Sequence, residues 1–216
     1  MASVVTHDVS FAAGFPRIRI RPGNLLSILF LLAGAGLLLH GLWIPTKAQL
    51  AQILLNHSWQ RALAGEEKPL PWGWADTWPI ARIRIPETGQ SFVVLEGTSG
   101  ESMAFGPGHM AGTAMPGERG NSVISAHRDT QFARLGELYR GNEIVVERAD
   151  GEIVSYRVER QLIVHESDLS VIREEGDTRL TLLTCYPFDG LAPGTPYRFA
   201  LIAKRVGREP RTEGGV

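Results

Sequence analysis

The chain has 216 residues, enough for one globular domain of ordinary size plus an appendage and too few for two full domains. Its 22 lysines and arginines stand against 23 aspartates and glutamates, a formal net charge of -1, so the basic excess that marks a nucleic-acid partner is absent. The single cysteine, Cys185, excludes an intramolecular disulfide and leaves a thiol whose use has to be explained.

Residues 1–16 carry no pattern and read as the start of a cytoplasmic tail that extends over residues 1–23. From Pro22 to Thr46 there is no Asp, Glu, Lys or Arg, and the run NLLSILFLLAGAGLLLHGLW is long enough to cross a hydrocarbon layer as a helix. Residues 24–44 are the expected transmembrane anchor and the expected contact with membrane lipid. Arg17, Arg19 and Arg21 precede this run, and Lys47 is the only basic residue close behind it. The positive-inside tendency then puts the N-terminus in the cytoplasm, the anchor in the inner (cytoplasmic) membrane, and the rest of the chain in the periplasm or outside the cell. A cleaved signal peptide is the competing reading. The apolar run is longer than a usual signal core, and His40 to Pro45 offers no pair of small residues for cleavage, so an uncleaved single-pass anchor is preferred.

Residues 45–79 are expected to form a helical stalk and a Trp-rich linker. Leu50, Ile53, Leu54, Trp59 and Leu63 fall near helical spacing, and PLPWGWADTWP follows. All five tryptophans lie between Trp43 and Trp78, which suits interfacial anchoring and packing of the linker better than substrate binding.

From residue 80 to residue 206 the texture changes to short β-rich runs between turn residues: ARIRIP, SFVVLEG, NSVISAH, NEIVVERADGEIVSYRVERQLIVH, RLTLLTCYP and YRFALIAKRV. Asp150-Gly151 marks a hairpin between two alternating runs. QFARLGELYR and SDLSVI are expected to be short helical or non-strand pieces, and Gly97 to Gly120 a long surface connection. The pattern is mainly β and predicts an antiparallel sandwich or barrel, closed by a frayed tail at residues 207–216.

Cys185 ends the run RLTLLTC and is followed by Tyr186-Pro187, where proline stops a strand ladder. A lone cysteine is commonly a small buried hydrophobe, but one outside the cytoplasm, at a sheet rim, is a candidate nucleophile that needs a proton partner and a positive neighbour. Of six histidines, His127 fits best because it closes NSVISAH and opens onto polar Arg128-Asp129-Thr130. His7, His40 and His57 lie in the tail, anchor and stalk. His109 lies in the Gly/Pro segment, and His165 follows a long run and reads as a surface residue. Arg198 begins the last run, thirteen residues after Cys185; if the two runs are antiparallel neighbours it faces the thiol, and otherwise it is a surface arginine balanced by Asp189.

TLLTC, with His127 upstream in SAHRDT and Arg198 in the following strand, resembles the sortase pattern of Thr-Leu-x-Thr-Cys with a partner His and Arg. The resemblance covers roughly Ile80 to Val206. The YPFD that follows the cysteine, the Trp-rich run and the short anchor look most like the proteobacterial (Gram-negative type) sortases.

The resemblance implies a closed antiparallel β-barrel and a cysteine transpeptidase. Its substrate would be a protein bearing a C-terminal LPxTG-like sorting signal, cut at the Thr–Gly bond through a thioester on Cys185. His127 would move the proton, Arg198 would position the substrate and steady the oxyanion, and an amine acceptor would release the acyl group. Thr184 is a supporting candidate. Asp129 either orients His127 or makes an exposed ion pair with Arg128 or Arg134. No acidic cluster is spaced for calcium, and neither a metal nor a cofactor is expected. Another extracytoplasmic cysteine peptidase, an L,D-transpeptidase and a non-catalytic membrane-tethered β-domain are the alternatives.

Overall fold

The structure, a computed structural model, describes residues 22–173, 176–190 and 194–207, so the expected tails lie outside the described residues except at their inner ends. The chain divides into two compact units, residues 1–46 and 47–216.

In the first unit, the described residues belong to helix α1, which runs from Pro22 to Leu63 and continues into the second unit. From Leu26 onward its most apolar stretch has a mean hydropathy of 2.0 and is long enough to cross a membrane. Leu29 to Leu32 and Leu37 to Leu39 all face outward, the distribution of a helix whose apolar surface meets no protein.

In the second unit α1 becomes one-sided. Ala51, Leu55, Ser58, Trp59 and Ala62 are buried at intervals of three and four residues, which is one stripe of a helix. That stripe packs on Val93 and Leu95, with Trp72 and Phe105 against the same cluster. Trp59 is wholly buried, and its replacement by alanine would cost on the order of 3–5 kcal/mol. Ser58 Oγ donates to the carbonyl of Pro69 at 2.5 Å, tying the linker back onto the helix.

Eight strands close a barrel in the order β1-β2-β3-β4-β7-β8-β6-β5. They are β1 Pro79–Ile85, β2 Gln90–Glu96, β3 Gly108–His109 and β4 Gly120–Ser125. The remaining four are β5 Glu143–Arg148, β6 Ile153–His165, β7 Thr178–Tyr186 and β8 Tyr197–Arg205. The interior is filled by alternate residues: Leu180 and Leu182 from β7, Phe199, Leu201 and Ala203 from β8, Ile124 from β4, and Ile83 and Ile85 from β1. Each leucine, isoleucine or phenylalanine side chain so withdrawn from water contributes roughly 1.5–3 kcal/mol. The Asp150-Gly151 turn joins β5 to β6 as the sequence predicts.

The barrel is mainly β, as expected, with two departures. β2 pairs with β3 in parallel, and so does β4 with β7. The stretch 97–120, read as surface connection, instead holds a short helix α2, Gly100–Met103, and the buried strand β3. Two residues of strand are too few to show a period of two, which is why no pattern announced them.

Candidate active site

The parallel pairing of β4 with β7 is the first step in building the site. Ser125 lies beside Leu183 in register, and the Ala126 amide donates to the Leu183 carbonyl at 3.1 Å. Thr184, buried, returns a bond from its Oγ1 to the Ala126 carbonyl at 2.7 Å. One residue further along each chain stand His127 and Cys185. Alternation gives Cys185 the outward face, because Leu180 and Leu182 are in the core, and His127 stands two residues past the end of β4. His127 is exposed and Cys185 half-buried.

The antiparallel pairing of β7 with β8 supplies the second step. Cys185 and Arg198 are direct partners across the two strands, so their side chains leave the sheet on the same side. Arg198 is held on three acceptors. Its Nη1 donates to the carbonyls of Thr195 at 2.6 Å and Tyr197 at 3.0 Å, and its Nη2 donates to Glu166 Oε2 at 2.7 Å. Its carboxylate partner is therefore Glu166 of the β6–β7 connection, and not the Asp189 of the alternative reading.

Two further contacts hold the β7–β8 connection beside His127. Arg128 donates to the carbonyls of Pro187 at 3.0 Å and Gly190 at 2.6 Å. Phe188 lies on Gly136, where a Cβ would stand 2.8 Å from the ring, and its ring meets Phe199 edge-on at 5.1 Å. A side chain at residue 136 would have to displace that ring. Asp129 is exposed; Arg134, one of its two expected ion-pair partners, bonds instead to Glu137.

Next to Arg198 a groove of about 280 Å³ is lined by apolar Val164, Leu169, Ile172 and Leu183 and by polar His165, Glu166 and Asp168. Its far wall is the short 3-10 helix Leu169–Ile172. Buried Asn121 fixes that wall, its Nδ2 donating to the carbonyls of Val171 at 3.0 Å and Arg173 at 3.3 Å. Thr181 Oγ1 in turn donates to Asn121 Oδ1 at 2.8 Å. Asn121, Thr181 and Glu166 escape sequence reasoning because their partners lie on other elements, and no local motif marks such contacts.

His109 is not a rim residue. It is buried on β3, with Nε2 3.0 Å from the Ala114 carbonyl and Nδ1 3.6 Å from Glu96 Oε2. His165 is exposed and edge-on to Tyr197 at 6.0 Å. Among the described residues no three histidine, cysteine, aspartate or glutamate side chains converge as a metal ion would require.

With this geometry in view, residues 83–206 match the sortase domain. Sortase D of Bacillus subtilis strain 168 is 34% identical over 125 residues, which are 57% of this chain and 62% of that protein, so less than two thirds of the relative's length is spanned. A sortase D5 transpeptidase of Clostridium perfringens superposes with a TM-score of 0.55 at 25% identity, over 70% of this chain and 89% of that one. The sortase C-1 of Actinomyces oris gives 0.54 at 28% identity, over 60% and 75%. The chain, more than half of which matches the domain that defines them, belongs to the sortase family.

Proposed function

We propose that the chain is a membrane-anchored transpeptidase that cuts an LPxTG-like sorting signal between Thr and Gly and passes the acyl group to an amine. The single observation that carries this is the register about Cys185. Arg198 is its direct antiparallel partner, and His127 follows the parallel partner of the same strand end.

In the reaction the Cys185 thiolate attacks the threonine carbonyl carbon, and the carbonyl electrons move to oxygen. The guanidinium of Arg198, the cross-strand partner of Cys185, would steady that oxyanion. His127 gives a proton to the departing glycine amine as the C–N bond breaks, leaving a thioester. It later takes a proton from the incoming amine that resolves the thioester. The groove beside Arg198 suits the leucine and proline of the motif, since Val164, Leu169, Ile172 and Leu183 are among its lining residues.

In this reading the apolar part of α1 is the anchor, crosses the membrane once with its N-terminus in the cytoplasm, and leaves the barrel in the periplasm or outside the cell. A substrate held in the same membrane would meet the enzyme at raised effective concentration. The proteobacterial subgroup is favoured by the Tyr186-Pro187-Phe188-Asp189 sequence after the nucleophile and by the Trp-rich linker.

The test is cleavage of quenched fluorescent peptides carrying LPxTG-like motifs by the full chain in detergent. Cys185→Ala should abolish turnover, and His127→Ala should lower it by about 10²–10⁴-fold. Equal turnover by wild type and Cys185→Ala would overturn the reading.

A further inference from the structure

A second groove, of about 700 Å³, shares no lining residue with the one beside Arg198. Leu50, Ala51 and Leu54 of α1 form one side, Trp72 and Trp74 of the linker another, and Phe105 the floor. Trp72 and Phe105 stand edge to face with ring centroids 4.7 Å apart, so the floor is a packed aromatic surface. The rim is apolar and turned outward: Trp74 is 87% exposed, Leu50 55% and the neighbouring Ile53 64%. An indole, a leucine and an isoleucine gathered in one exposed region point to a surface that is covered in use.

What covers it follows from where it sits in the chain. Ile44 ends the apolar run and Leu50 is already in the groove. Six helical residues rise about 9 Å, and even fully extended they reach about 21 Å. The headgroup layer of a bilayer is roughly 5–8 Å deep. The tether alone therefore keeps Leu50 within about 21 Å of the end of the apolar run, close enough to reach the headgroup layer when the chain leans toward it. Indole rings partition to that layer because one end is apolar and the N–H stays hydrated. Lys47 and Asp76, of opposite sign, also line the groove, so it offers no net charge to select an acidic or a basic peptide.

We propose that this groove is a lipid-docking surface that rests in the headgroup region of the bilayer holding α1, with Trp74 and Leu50 inserted. This rests on the reading of α1 as a membrane anchor. Docking at a second point restrains the catalytic unit from swinging freely about the end of the anchor, and so sets the height of Cys185 above the membrane.

The experiment uses the full chain with Cys185→Ala, which removes its single cysteine, in phosphatidylcholine–phosphatidylethanolamine nanodiscs holding one copy each. A nitroxide is attached in turn at Trp74→Cys, Leu50→Cys, Leu31→Cys within the apolar run and Tyr139→Cys, an exposed position in the connection before β5. Its collision rate is measured with oxygen, which concentrates in lipid, and with a polar nickel chelate. The expected result is an oxygen-to-nickel ratio at residues 74 and 50 several-fold above that at 139, approaching that at 31. If 74 and 50 match 139 while 31 reads lipid, docking is wrong and the anchor stands. If both reagents are excluded from 74, protein rather than lipid covers the groove and the proposal falls. If 31 itself reads water, the anchor reading fails and takes the proposal with it. Trp74 is almost wholly exposed, so its replacement removes little packing.

Discussion

The Thr184 hydroxyl donates to the Ala126 carbonyl at 2.7 Å, fastening the residue before Cys185 to the residue before His127. Both groups are withdrawn from water, so the bond is worth more than a surface contact, and an unmatched carbonyl would cost about 1–3 kcal/mol. Thr184→Val, which keeps the shape and removes the donor, should lower stability by that amount and slow turnover about tenfold. Thr184→Ser should restore most of both. Denaturant unfolding and peptide-cleavage kinetics on the two variants check this, and equal behaviour of Val and Ser would contradict it.

Glu166 acts on Arg198 from the β6–β7 connection. The carboxylate side chain is 51% exposed, so the pair is a weak source of stability, and Glu166→Gln should change unfolding by no more than about 1 kcal/mol. Catalysis is expected to respond more strongly, because the guanidinium loses the contact that aims Nη2. A fall in kcat/KM of roughly threefold to tenfold is predicted, with Glu166→Asp intermediate. Kinetics at low and high salt should show the wild type converging toward the variant as ions screen the pair.

Asn121 is expected to act through the groove wall. Asn121→Ala leaves Thr181 Oγ1 without its best acceptor and leaves the Val171 carbonyl with Thr181 Oγ1 alone, at 3.3 Å, so the segment Leu169–Ile172 is held less firmly on the barrel. KM for a sorting-motif peptide should rise while kcat stays near wild type, since the variant leaves Cys185, His127 and Arg198 in place. A matching fall in kcat with unchanged KM would mean that the network serves the reacting groups and not the wall.

Tyr156 sets an alkaline limit on the barrel. Its ring is buried, its oxygen accepts the Gly117 amide at 2.6 Å, and burial pushes its pKa from 10.0 up to about 12. The raised value means that the folded chain holds the phenolic proton more tightly than the unfolded chain. The contribution is therefore complete below pH 10 and is lost as pH rises from 10 toward 12, by up to about 1.4 kcal/mol per pH unit. Unfolding measured at pH 9 and at pH 11.5 should show this loss. Tyr156→Phe should be less stable at pH 9, because the Gly117 amide loses its acceptor, and should show a flatter pH dependence.

The long strands were legible because alternation is a local property. β5, β6, β7 and β8 each run six residues or more, and Asp150-Gly151 names its own turn. Cys185 and Arg198 were legible for the same reason, since a connection between consecutive antiparallel strands brings the end of one to the start of the next. β3 was not, because Gly108 and His109 are too short a stretch for a period. The burial of His109 depends on Glu96, Thr113 and Ala114, which surround it only after folding. Glu166 was missed on similar grounds: it sits 32 residues from Arg198, in a connection that carries no motif to mark it. Thr184 and its bond to Ala126 were half visible, the threonine in the motif and the carbonyl only in the fold.

The central claim is that Cys185 carries the acyl group. Intact-mass spectrometry of the full chain, mixed with a sorting-motif peptide and quenched in acid before an amine is added, tests it most directly. A mass gain equal to the peptide segment ending at threonine is expected, mapped by digestion to Cys185 and absent from Cys185→Ala. Cleaved peptide with no adduct on Cys185, or an adduct that persists in Cys185→Ala, would contradict it.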